Sequence, residues 1–123
     1  MLIACVSLLA GGVGITNIML ASIKERTREI GVRRALGARP FDVFFQITLE
    51  ALLLAILGGI LGLLVGLGLI EILKYIGNEQ PPILDTVSIL ISFGSGVIVG
   101  FLAGLFPAWQ ASQLSPILAL RFE

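Results

Sequence analysis

The stretch KERTREIGVRRALGARP, residues 24–40, decides how the rest of the chain is interpreted. It holds six of the eight basic residues of the chain against two glutamates, so its net charge is +4. Residues 1–23 carry no charge, and neither do residues 51–70. A basic segment between two apolar runs of bilayer length is typical of a cytoplasmic loop of a membrane protein, because loops rich in Lys and Arg stay on the cytoplasmic side.

The composition supports the same class. Hydrophobic residues make up 57% of the 123 residues and charged residues 13%, with a mean hydropathy of +1.06, whereas soluble domains are about 45–50% apolar and about 25% charged. A soluble fold of this length could not bury so much apolar surface, but a bilayer solvates it. The lone Cys5 excludes an intrachain disulfide, and the absence of His excludes His-dependent metal or acid–base sites. We therefore predict an all-α integral membrane protein.

The apolar runs predict three transmembrane helices, at about residues 1–23, 51–76 and 87–106, since about 20 residues of helix cross a bilayer core. Residues 41–50 precede the second span as an amphipathic shoulder. Its polar stripe recurs every fourth residue and consists of Asp42, Gln46 and Glu50. Pro40 suits the first turn of that helix, where its missing N–H costs nothing.

The remaining segments predict loops and orientation. Residues 77–85 form a polar break that contains two prolines, and Ser115-Pro116 is typical of the start of a last short helix within a tail over residues 107–123. The positive-inside rule places residues 24–40 and the tail in the cytoplasm. That orientation leaves Met1 outside, so we expect this chain to be a piece of a longer protein with an upstream span.

Glycines recur at four-residue spacing on the second and third spans, which stacks them on one helix face. Small residues there allow helix backbones to approach closely in lipid. The spacing does not say whether the contact lies within the chain or between chains, and Gly is in any case common in membrane helices. Thr16 and Asn17, inside the first span, favour helix–helix hydrogen bonding over a substrate path. The predicted packing glycines are Gly58, Gly62, Gly66, Gly96, Gly100 and Gly104.

The basic segment itself predicts a short helix across the inner membrane face. Glu29 and Arg33 stand at i,i+4 spacing, a pair worth about 0.2–0.5 kcal/mol, and Glu25 and Arg28 stand at i,i+3. Gly37 is a plausible stop. One interpretation is a loop that only sets topology and touches anionic lipid; the other is a docking element for a soluble partner. Nucleic-acid binding is disfavoured, because glutamates interrupt the cations and no aromatic residues interleave with them.

Several motifs resemble the MacB/FtsX-type permeases of ABC transporters: NIML at 17–20, ERTREIGVRRALGA at 25–38, EAL at 50–52, GG at 58–59, FPA at 106–108 and PILALRFE at 116–123. The resemblance covers nearly the whole chain. It implies that residues 1–123 are the C-terminal portion of a single FtsX-like permease domain, holding the last three of four spans. Trp109-Gln110 and Leu118 depart from the pattern of many relatives, which puts the contacts of the tail in doubt.

The resemblance also implies a function. The chain would be the permease part of an ABC transporter of the bacterial cytoplasmic (inner) membrane, transmitting ATP-driven motion for export or extracytoplasmic work on a peptide, lipoprotein or antibiotic-like substrate. The short helix between the first and second spans would be a coupling helix, with the ATPase-contacting residues Glu25, Arg26, Thr27, Arg28, Glu29, Ile30, Arg33, Arg34, Leu36 and Gly37.

The implied partners are an ABC ATP-binding subunit or domain, membrane lipid, a second permease copy and a periplasmic adaptor, with no nucleic acid. We expect no catalysis, cofactor or metal, because the chain has no G-x-x-x-x-G-K-[ST] loop and no nucleophile–base pair. The alternative function is a small structural or regulatory membrane protein that acts through glycine-mediated helix association.

Overall fold

A computed structural model describes residues 2–76 and 85–115, which form four α-helices. They are α1 (Leu2–Glu25), α2 (Thr27–Ala35), α3 (Pro40–Tyr75) and α4 (Thr86–Ser112). The three longer helices are long and apolar enough to cross a membrane, and no strand occurs in the described residues. The predicted fold class is confirmed. The loop predicted at 77–85, apart from Asp85, and the short helix predicted to start at Ser115-Pro116, apart from Ser115, lie outside the described residues.

Helix α3 joins the predicted shoulder and the predicted second span into one continuous helix of 36 residues. Pro40 occupies its first turn, as expected, and the Asp42 carboxylate accepts a hydrogen bond from the Arg39 backbone N–H at 2.9 Å. At 1.5 Å per residue α3 is about 54 Å long, well beyond the hydrocarbon thickness of about 30 Å. Its amphipathic first turns can therefore extend out of the bilayer.

Helix α4 continues through Pro107 to Ser112, past the end predicted for the third span at residue 106. Proline has no N–H, so inside a helix it leaves the carbonyl four residues earlier without its usual donor. Here that carbonyl belongs to Ala103, and the Thr16 hydroxyl of α1 lies 2.8 Å from its oxygen. The same hydroxyl lies 3.1 Å from the Gly12 carbonyl. A polar group freed in lipid must find a new partner, and α1 supplies it.

The bundle is organised around α4, whose backbone approaches those of both α1 and α3 more extensively than the backbones of α1 and α3 approach each other. The core lies at the end of the bundle next to α2. The side chains of Ala51, Ala108 and Ala111 are fully buried there, so backbones approach closely. The whole core cluster is Met19, Ile23, Val43, Ile47, Ala51, Ala108 and Ala111.

Two of the six predicted packing glycines lie on the seam between α3 and α4. A Cβ added to Gly100 would lie 2.5 Å from the Cβ of Ala55, and one added to Gly104 would collide with the Cβ of Ala51. At the other four positions, an added Cβ would meet no heavy atom of the described residues within 4 Å. Packing there stays a prediction, for Gly58, Gly62, Gly66 and Gly96.

Close approaches also occur at glycines outside the predicted stripes. A Cβ on Gly59 would lie 2.9 Å from the ring of Phe93, and a Cβ on Gly12 would lie 3.1 Å from a methyl group of Val99. The contact at Gly12 joins α1 to α4, and the contact at Gly59 extends the α3–α4 seam.

Candidate functional site

The charged segment begins with a bend between α1 and α2. Helix α1 ends at Glu25, Arg26 separates the two helices, and α2 starts at Thr27. The Thr27 hydroxyl lies 2.9 Å from the carbonyl oxygens of both Ile23 and Lys24. Carbonyls at the end of a helix lack intrahelical donors, so a threonine at the bend stabilises it. The short helix predicted within residues 24–40 is present.

Helix α2 ends in a glycine turn. The Gly37 N–H donates to the Arg34 carbonyl at 3.2 Å, and the Ala38 N–H donates to the Arg33 carbonyl at 3.1 Å. This pair of bonds is the Schellman motif, which needs a left-handed residue at the glycine position. Gly37 has φ = +103°, a conformation that residues with a Cβ rarely adopt. The predicted stop at Gly37 is confirmed, and α3 begins three residues later.

Two arginines link α2 and the preceding bend to the polar stripe of α3. Arg26 pairs with Glu50 at 3.3 Å, and Arg33 donates to the Gln46 side-chain oxygen at 2.9 Å. Arg33 also pairs with Glu29 at 2.6 Å, the i,i+4 pair predicted from the sequence. The ion-paired side chains are 40–57% exposed, and exposed ion pairs are typically worth about 0–1 kcal/mol. These contacts orient α2 more than they stabilise the fold.

Arg34 makes a different contact. Its guanidinium donates to the backbone carbonyl of Ser112 at 3.0 Å, at the last residue of α4. That carbonyl lies at the negative end of the helix dipole, where a cation is favoured. Ser112 is buried, with 5% of its surface exposed, and Arg34 is half-buried. The sequence reasoning did not find Ser112, because the two residues are 78 positions apart and a backbone acceptor leaves no trace in the sequence.

A cavity of about 280 Å³ lies between the end of α1, the inner side of α2 and the first turns of α3. Its wall is apolar on the bundle side, and its charged residues are those of the two arginine links. The cavity separates α2 from α3, so the two helices are joined there by polar side chains. The lining residues are Met19, Ser22, Ile23, Arg26, Glu29, Ile30, Arg33, Val43, Gln46, Ile47 and Glu50.

The opposite side of α2 is open. Arg28, Val32 and Leu36 follow one another at four-residue spacing, which places them on one helix face, and all three are exposed, Leu36 by 84%. In the part of the chain that the structure describes, neither Arg28 nor Glu25 forms an ion pair or a side-chain hydrogen bond. We call Arg28, Val32 and Leu36 the outer face of α2; Glu25, the last residue of α1, is also exposed.

The structure thus divides the predicted ATPase-contacting residues. Arg28 and Leu36 belong to the outer face, and Glu25 is exposed at the end of α1. Within the chain, Arg26, Thr27, Glu29, Arg33 and Arg34 already make hydrogen bonds or ion pairs, and Ile30 packs against the core. Over residues 2–76 and 85–115, no three His, Cys, Asp or Glu residues lie close enough together to hold a metal ion. Helix α2 therefore has an exposed outer face, and its other side is joined to α3 and α4 by arginine side chains.

The model of the family described as "FtsX-like permease C-terminal" matches residues 1–116. This chain belongs to that family. The resemblance found in the sequence is confirmed, and with three apolar helices the family identifies a multi-pass permease domain of the inner membrane.

Similar proteins carry the name macrolide export ATP-binding/permease protein MacB. The chain is 48% identical over 121 residues to the one from Syntrophobacter fumaroxidans, 43% identical over 122 residues to the one from Bdellovibrio bacteriovorus and 40% identical over 121 residues to the one from Campylobacter jejuni. Each alignment covers 98% of this chain but only 17–19% of the relative. The FtsX-like permease chain therefore spans less than a fifth of these relatives.

Proposed function

We propose that this chain is the permease segment of an ABC transporter, in which α2 is the coupling helix that receives motion from an ATP-binding subunit or domain. The observation that carries the proposal is the two-sided character of α2. Its outer face is charged, partly apolar and without an ion pair, and its inner side is linked to α3 and α4. A helix whose outer face contacts an ATPase, and whose inner side is hydrogen-bonded to two other helices, can transmit a displacement from the ATPase to those helices.

The orientation follows from the charge distribution. The +4 segment with α2 lies in the cytoplasm, as does the end of α4 that contacts it, since Arg34 and Ser112 are bonded. The far ends of α3 and α4, with the exposed Lys74–Glu71 pair, then face outward. In this proposed orientation a cytosolic ATPase can reach the outer face of α2.

ATP hydrolysis belongs to another subunit or domain in this proposal, because the phosphate-binding loop is missing from this sequence. The relatives' names combine ATP binding with permease function and macrolide export. By similarity we propose export, or work outside the membrane, on a peptide, lipoprotein or antibiotic-like substrate. Lipid, a second permease copy and a periplasmic adaptor complete the proposed partners.

The alternative, a structural protein acting by glycine-mediated helix association, has less support. The family match favours the permease, and the seam at Gly100 and Gly104 is explained by packing between α3 and α4 of the same chain. No contact of the described residues favours the alternative.

The test reverses a charge on the outer face of α2 in the transporter that contains this chain. With Leu36→Cys on a Cys5→Ser background, docking is measured as the yield of a cross-link from residue 36 to the ATP-binding subunit or domain. Arg28→Glu should lower the cross-link yield and the ATP turnover about tenfold, which corresponds to about 1.4 kcal/mol, because like charges facing each other across an interface are unfavourable.

Lys74→Glu is the control, since it reverses an exposed cation at the far end of α3, breaks only the exposed pair with Glu71 and should leave the cross-link unchanged. Equal cross-linking and ATP turnover in Arg28→Glu and the parent would disprove docking through this face. Arg28 is a better choice than Arg33 or Arg34, whose internal bonds would be lost on reversal.

A further inference from the structure

We infer that Arg34 is a positioning residue that fastens α2 to the C-terminal end of α4, so that a displacement of α2 reaches α4 directly. The inference rests on the proposed function, because it concerns how the coupling helix acts. It also removes Arg34 from the surface that contacts the ATPase.

The geometry places Arg34 on the inner side of α2. It lies four residues after Ile30, which packs against the core, and three after the buried Gly31. Residues three and four apart share a helix face, so Arg34 points toward the bundle while Arg28 and Val32 are exposed. Arg34 as a whole is half-buried, and its guanidinium donates to the Ser112 carbonyl. An arginine held in this way is a poor candidate for contact with a soluble partner.

The acceptor is held firmly in place. Ser112 is the last residue of α4, and its hydroxyl donates to the Trp109 carbonyl at 2.7 Å. Ala108 and Ala111 in the same turns have no exposed surface. An acceptor fixed by the core cannot follow Arg34 independently, so the hydrogen bond passes a displacement on to the helix behind it.

The links from α2 to α3 have a different character. Arg26–Glu50 and Arg33–Gln46 join exposed side chains across the cavity of about 280 Å³. Exposed side-chain pairs in water contribute little and are mobile, whereas a hydrogen bond from a charged donor to a half-buried backbone carbonyl is stronger. We therefore assign the direct connection to α4 rather than to α3.

The experiment follows the distance between α2 and α4 in the complete transporter. Spin labels are attached at Ala35→Cys and Gln113→Cys on a Cys5→Ser background, both positions being exposed, and the labelled parent is required to keep the ATP turnover of the unlabelled one. Distances are measured without nucleotide and with ATP plus vanadate. Docking is measured separately by the cross-link at residue 36.

With Arg34 intact, we expect one narrow distance in both states. Arg34→Gln should keep the cross-link yield within about twofold of the parent's. In the ATP state it should raise about tenfold the ratio of molecules with a longer label distance to molecules with the parent distance, the size of effect expected for a charged hydrogen bond. Arg34→Lys keeps a charged donor, so most molecules of this variant should show the narrow label distance of the parent. Rescue by lysine distinguishes positioning from a general loss of structure.

Two results would overturn the inference. One is a distance distribution in Arg34→Gln that equals that of the parent. The other is a loss of cross-linking in Arg34→Gln as large as that in Arg28→Glu, which would make Arg34 a docking residue. Failure of the proposed function looks different, because Arg28→Glu would then leave the cross-link intact while the label pair still responds to Arg34→Gln.

Discussion

The two glycine stripes have the same spacing but different surroundings. On α4, Gly100 and Gly104 lie against alanines of α3 so closely that no Cβ fits. On α3, Gly58, Gly62 and Gly66 face no described residue within 4 Å of an added Cβ. The comparison teaches that spacing identifies a face of small residues, whereas the neighbouring helix decides whether that face is used.

The two glycine stripes also lie at different positions along the bundle. The used stripe, Gly100 and Gly104, lies on the same helix as Ser112 and fastens α4 to α3 toward the end of the bundle next to α2. The unused stripe lies further along α3, toward the proposed outer end, where lipid or a second copy can cover it. The same substitution should therefore change the stability of the bundle by different amounts in the two stripes.

The largest difference should come from a bulky side chain at Gly104. Gly104→Leu pushes α4 away from Ala51 and should lower the free energy of unfolding by about 3 kcal/mol or more, the upper range for overpacking. Gly62→Leu, the control on the unused stripe, should lower it by less than about 0.5 kcal/mol. Both are measured by denaturant titration in micelles, with Trp109, the single tryptophan of the chain, as the fluorescent reporter. Equal losses in the two variants would contradict the assigned seam.

A smaller difference is expected from alanine. Gly100→Ala brings a methyl group to 2.5 Å from the Cβ of Ala55, which should cost about 1–2 kcal/mol even after the gain in helix propensity of about 1 kcal/mol. Gly96→Ala, one turn away on the same helix, meets open space and should be neutral or stabilising. Thermal unfolding followed by circular dichroism compares them, and a stabilising Gly100→Ala would show that the seam can relax.

The smallest effect is expected from losing the hydrogen bond between the Thr16 hydroxyl and the Ala103 carbonyl, which lies beside the used stripe. Thr16→Val removes the donor to the Ala103 carbonyl and should cost about 1 kcal/mol, within the range for interhelical hydrogen bonds in membranes. Pro107→Ala gives that carbonyl its ordinary helical donor again, so the same Thr16→Val change should cost less in that background. A double-mutant cycle on the unfolding free energy measures the coupling. Additive costs would mean that Thr16 and Pro107 act independently.

Local signals predicted much of this molecule. The apolar runs gave the three long helices, and Pro40, Gly37 and the Glu29–Arg33 pair were each found in their expected local roles. These features depend on residues within a few positions of one another. The motifs of the charged segment likewise led to the family.

Contacts between distant residues could not be predicted. Pro107 suggested a helix end, because the donor that satisfies the freed carbonyl, Thr16, lies on another helix. The division of α2 into an outer face and an inner side depends on where Ser112 and Gln46 lie in space. The same holds for the glycines, since the sequence cannot reveal which alanine stands opposite.

The central position of α4 has a consequence for biosynthesis. Because α1 and α3 each pack along α4 more extensively than against each other, most of the packing that holds them together forms only after α4 enters the bilayer. Of the described helices α4 leaves the ribosome last, so the packing among them is completed only after α4 has been made. Until then the hydrogen bond between the Thr16 hydroxyl and the Ala103 carbonyl cannot form, and the nascent helices are exposed to membrane quality control.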